Sequence, residues 1–91
     1  MAASKKDDLL SRVQLAAKLG SVNTTGHSRQ RMRERGVTAA DVIQAISTAT
    51  VAKEQPEEQT IRLEGGGDTD GVGLTVVVAE HSRGLRLVTV L

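Results

Sequence analysis

The hydrophobic period of this chain changes once, at about Thr48, and that change limits the folds open to it. Before Thr48 the apolar residues recur at helical spacing. After it they alternate with polar ones, and β-branched residues become frequent. Helices followed by strands imply an α+β fold, with two or three N-terminal helices packed on a three- to four-stranded antiparallel sheet. The 91 residues fit one small domain, read as an N-terminal helix over 1–20, a helical pair over 27–47 and the sheet over 50–91.

The material for a core is thin. Val, Leu, Ile and Ala supply nearly all of it, because Phe, Tyr and Trp are absent. No large ring is available to fill the interior or to stack on a nucleic-acid base. The absence of Cys excludes disulfides and thiolate metal sites and fits a reducing cytoplasm. The first twenty residues contain no continuous apolar run, so the reading is a soluble, cytoplasmic protein that does not engage a membrane. The formal net charge is only +1, yet arginines gather at residues 29–35 and acidic residues at 54–70.

Residues 5–19 place Leu9, Val13, Ala16 and Ala17 on one helical stripe, with Ser4 as a start and Gly20 as a stop. Ser21 to Gly26 reads as a polar connection. A second helix is expected from His27 to Arg35, ended by Gly36 in the left-handed conformation. Thr38 followed by Asp41 forms a capping-box pattern, with Val37 and Val42 at staple positions. The third helix would bury Val42, Ile43 and Ile46. Strands are expected at 50–53, 60–64, 73–80 and 85–91, the last two central in the sheet and joined by a turn at His81-Ser82-Arg83-Gly84.

On the second helix His27, Arg31 and Arg35 fall at about 0°, 40° and 80° around the axis, so they share one face. Arg29 and Arg33 lie on nearly the opposite side. An imidazole beside guanidinium groups suits metal-independent RNA cleavage, in which one moves a proton and the others neutralise charge growing on phosphate. The same residues also fit plain phosphate binding. A third reading is structural, with Arg31 and Arg35 paired to Asp41, Glu34 or strand-end carbonyls.

The segment HSRQRMRERGVT resembles the signature of the domain-of-unknown-function 4258 family, H-x-x-x-R-M-x-x-R-G-[IV]-[ST]. The matching residues are His27, Arg31, Met32, Arg35, Gly36, Val37 and Thr38, joined later by Val88, Thr89 and Val90. That family is similar to the RelE, barnase and colicin group of ribonuclease toxins. The resemblance implies His27 as acid/base, Arg31 and Arg35 as phosphate-binding residues and Thr89 as an assisting hydroxyl. It implies RNA as substrate and an antitoxin or another protein as partner, with no metal and no cofactor. The other reading is a non-enzymatic module of the same fold that holds an acidic protein or RNA.

Weaker signals remain. His81 and Arg83 form a secondary acid/base candidate in the last turn. GGGDTDG, at 65–71, is read as a hairpin connection, since it lacks the later bidentate Glu of a calcium loop. Residues 27–48 imitate a helix-turn-helix, but AADVIQAIS offers base edges only Gln44.

Overall fold

A computed structural model describes residues 5–19, 21–82 and 84–91. The elements in chain order are α1 (Lys5–Leu19), β1 (Ser21–Asn23), α2 (Gly26–Arg35), α3 (Ala39–Thr48), β2 (Val51–Gln55), β3 (Thr60–Glu64), β4 (Val76–His81) and β5 (Gly84–Val90). The α+β expectation holds. The sheet differs from expectation in size and in direction: it has five strands in the order β1-β5-β4-β3-β2, and β1 runs parallel to β5 while the other pairs are antiparallel. The extra strand arises from the segment read as a polar connection. Three residues with alternate polar side chains carry too little pattern to announce a strand, and only pairing with Gly84–Arg86 makes them one.

All three helices serve one face of the sheet. Residues directly opposite each other in paired strands share a face, so the pairs Val78–Leu87, Val76–Val90, Leu63–Val76 and Ile61–Val78 define the buried side. Onto it α1 lays Leu9, Val13 and Ala17, while α3 lays Val42, Ala45 and Ile46. The core is wholly aliphatic apart from Met32. Ile43, expected in the buried stripe, is 38% exposed. It stands about 100° around the axis from Val42, which carries it off the sheet and over the groove between α1 and α3.

The other face has no helix. There Val77 and Ala79 are buried by neighbouring side chains, since they pair with Thr89 and Arg86 on β5. This explains why β4 and β5 read as apolar on both sides. Both lie centrally, as expected. β4 begins at Val76 rather than Gly73, because Gly73 bridges to Gly67 inside the loop between β3 and β4. The proposed start and stop of α1 at Ser4 and Gly20 lie outside the described residues.

Polar groups fasten the ends of α3 where apolar bulk is scarce. Its start follows the sequence expectation: the Asp41 carboxylate accepts from Thr38 N at 2.9 Å, and Thr38 Oγ1 accepts from Asp41 N at 3.2 Å. The same carboxylate also accepts from Thr69 N at 3.0 Å and Thr69 Oγ1 at 2.6 Å, which ties the glycine-rich loop to the helix. At the far end the Gln14 amide of α1 donates to the carbonyls of Ile46, Ser47 and Ala49 at 3.1–3.2 Å. The Ile46 carbonyl also accepts from Ala49 N at 3.3 Å, and the amide adds a donor to a helix end that has no basic residue. No helix among the described residues is long and apolar enough to cross a membrane.

Two predictions follow from these anchors. The Thr38 amide, the Thr69 hydroxyl and the Thr69 amide together hold the Asp41 carboxyl well below the usual carboxylate range. A depressed folded-state value stabilises the fold above the unfolded carboxyl pKa of about 4, and that contribution is lost as the pH falls further. Melting temperatures of wild type and Asp41→Asn, measured between roughly pH 5 and pH 3, should therefore converge as the medium becomes acidic, by the linkage of about one proton. The second concerns Gly66, where an added Cβ would collide with the Ala45 carbonyl oxygen and stand 2.9 Å from Ala49 N. Gly66→Ala should cost about 1–3 kcal/mol in denaturant unfolding. Gly73→Ala, with open space around it, should cost much less.

Candidate functional site

α2 is held by its two ends and a narrow seam. At the start, Ser28 N donates to Thr25 Oγ1 and Thr25 N donates to Ser28 Oγ, a reciprocal cap that buries Ser28 completely. At the end, Gly36 adopts a left-handed φ of 65° while Gly36 N and Val37 N donate to the carbonyls of Arg33 and Met32. Only Gly tolerates that conformation cheaply, which is why the sequence marks this end so plainly. Between the caps, Met32 is the one large side chain given to the core.

The position of α2 follows from how short β1 is. β1 pairs only with Gly84–Arg86, so the outer edge of β5 beyond Arg86 has no strand partner. α2 packs along β5 there. There Arg31 Nη2 donates to the backbone carbonyl of Val90, a buried residue, at 3.4 Å. Thr89 Oγ1 donates to the same oxygen at 3.3 Å.

Thr89 reaches this corner because β5 is irregular. Val77 pairs with Thr89 and Val78 with Leu87, so Val88 is an extra residue in a β-bulge. Strict alternation from Leu87, which is core, would send Thr89 inward and Val90 outward. The bulge reverses both: Val90 is fully buried and Thr89 turns to the open face.

The sequence candidates therefore divide. Arg31 and Thr89 are brought together at the Val90 carbonyl. His27 and Arg35 are exposed on the same flank of α2 as Arg31. Arg31 is also paired with Glu34 at 3.1 Å, so the structural reading, with Glu34 and a strand-end carbonyl as partners, describes its present contacts. Asp41 takes no part, because its carboxylate is spent on Thr38 and Thr69.

His81 is the last residue of β4 and is exposed, paired with Gly84 at the hairpin end. Thr89 lies at the opposite end of β5, roughly 17 Å along the strand. His81 therefore does not share the Arg31–Thr89 corner, and Arg83 lies outside the described residues. His81 instead lines a groove of about 440 Å³ on the open face with Arg86, Thr60 and Ala79. Arg86 is a residue the sequence reading missed. It is exposed on the same face as Thr89, and its signal was its place between buried Leu85 and Leu87. Among the described residues no group of three or more His, Cys, Asp or Glu is arranged to hold a metal ion.

No curated protein and no solved structure matches the chain. A family model described as Domain of unknown function (DUF4258) matches residues 24–91, a span that runs from the residue before the α2 cap through β5 and leaves α1 and β1 outside it. The chain belongs to this family, and the matched span contains the whole α2–β5 corner.

Proposed function

We propose that the corner between α2 and β5 binds RNA phosphate and that the protein is a metal-independent, toxin-like endoribonuclease domain. The observation that carries this reading is the convergence of the Arg31 guanidinium and the Thr89 hydroxyl on the Val90 carbonyl, with His27 and Arg35 exposed on the same flank. In the reaction the RNA 2′-oxygen attacks the neighbouring phosphorus and the bond to the 5′-oxygen breaks. His27 takes the proton of the 2′-hydroxyl, and water protonates the departing 5′-oxygen. Arg31 and Arg35 neutralise the charge that grows on the non-bridging oxygens, and Thr89 offers a further donor beside them once its hydroxyl turns from the Val90 carbonyl to the phosphate.

The Glu34 contact does not block this role. An ion pair with both side chains more than a third exposed contributes about 0.5 kcal/mol, which a phosphate held by two guanidinium groups outweighs. The reading follows the resemblance of the family's signature to RelE, barnase and colicin ribonucleases, and it includes a cytoplasmic setting and an antitoxin as partner as parts of the proposal. A second reading keeps the fold without the chemistry: a module that holds RNA or an acidic protein through α2. The Arg31–Glu34 pair favours it, because a signature arginine there already holds a carboxylate.

Incubation of purified protein with RNA in a chelator separates the two. The enzymatic reading expects fragments ending in a cyclic phosphate, with His27→Ala slowing their release by roughly 10²–10⁴-fold while RNA affinity stays near wild type. Intact RNA throughout, with binding that depends on the arginines and not on His27, would establish the second reading instead.

A further inference from the structure

The four arginines of α2 form two rows rather than one patch. With Ser28 and Met32 marking the buried side, Arg31 and Arg35 lie on one flank and Arg29 and Arg33 on the other, about 160° away around the axis. The crest between the rows, turned away from the core, carries Gln30 and Glu34, with His27 at its border with the Arg31–Arg35 flank, all three exposed. Among the described residues, Glu34 pairs with Arg31 and no carboxylate pairs with Arg29, Arg33 or Arg35. Arg29 Nη1 donates to Thr24 Oγ1 at 3.2 Å, a contact that steadies the side chain without cancelling its charge.

Such an arrangement discriminates between forms of nucleic acid. Sequence-specific reading of single strands relies heavily on stacking unpaired bases on aromatic rings, and this chain has no Phe, Tyr or Trp and only two His. What it can offer is charge for phosphates and polar groups for hydroxyls. Rows directed to opposite sides of a helix cannot both follow one strand, but they match two backbones that border a groove. A helix with side chains is about 10–12 Å across and suits the wide, shallow minor groove of A-form RNA, where 2′-hydroxyls are displayed.

We propose that α2 recognises double-stranded RNA by lying in its minor groove, with Arg31 and Arg35 on one backbone, Arg29 and Arg33 on the other, Gln30 facing the 2′-hydroxyls, and His27, in the first turn, at the end of the stem. The inference rests on the reading of α2 as RNA-binding and narrows the substrate to structured RNA. Because pairing holds the 2′-oxygen out of line with the 5′-oxygen, the nucleotide that is cut lies unpaired beside a stem.

The test is fluorescence anisotropy of the full chain with a short blunt RNA duplex, one of its separated strands and a DNA duplex of the same sequence, with gels to show that the probes stay intact. The RNA duplex should bind roughly tenfold more tightly than either other probe, and Arg29→Ala/Arg33→Ala should lower the log–log salt slope for the duplex by about two phosphate contacts. Both positions are exposed, so this double variant should fold, and its thermal melt should match wild type. Arg31→Ala/Arg35→Ala should act in the same direction on the duplex. A single strand or DNA duplex bound as tightly as the RNA duplex, or a silent Arg29/Arg33 pair, overturns the inference and leaves the proposed function standing. Absence of binding to any RNA overturns both.

Discussion

β5 is the constraint on which the rest of this structure depends. It pairs with β4 on one side and with β1 on the other, receives α1 on its buried face and carries α2 along the part of its edge that β1 leaves free. Leu85, Leu87 and Val90 are fully buried in it. A strand fixed from so many directions is a rigid base for a surface site. The bulge at Val88 uses that rigidity to turn one hydroxyl outward without loosening the core.

A chain without aromatic residues has to replace bulk with connections. Leu9, Val13 and Ala17 of α1 supply a modest apolar seam, and the side chains around it add polar ties of long sequence separation. Gln14 closes the end of α3, Arg12 makes a two-point contact with Glu80 of β4, and Asp41 joins the start of α3 to the loop before β4. Each of these joins segments far apart in the chain. Buried carboxylates and amides are tolerated only when their hydrogen bonds are satisfied, and no buried side-chain polar atom among the described residues lacks a partner. α1, although outside the family-matched span, therefore belongs to the same packed unit as α3 and the sheet.

α2 shows the opposite economy. It gives the core one methionine and one serine and spends the rest of its surface on charge. Its caps make a helix of ten residues persist with so little burial, since Thr25, Ser28 and Gly36 satisfy end groups that a short helix would leave to solvent. The result is a cationic ridge at the sheet edge, held by its ends and by the Arg31–Val90 contact.

Local signals were legible in the sequence wherever a few neighbouring residues suffice. The capping box of Thr38 and Asp41, the left-handed Gly36, the stripe of α1 and the central place of β4 and β5 all depend on short-range pattern, and the structure has each of them. The shared flank of His27, Arg31 and Arg35 is likewise a property of any helix with that spacing. Other features were settled by partners distant in the chain. Ser21–Asn23 became a strand only beside Gly84–Arg86, and Ile43 was left outside because α1 and the sheet took the neighbouring face of α3. The side of the sheet that carries Thr89, and the carbonyl at which it meets Arg31, depend on one inserted residue in the pairing of β4 with β5. Periodicity along a single strand contains no record of a bulge, because a bulge is a mismatch between two strands; the sequence thus determined which chemical groups this protein carries, and the tertiary pairing decided which of them meet.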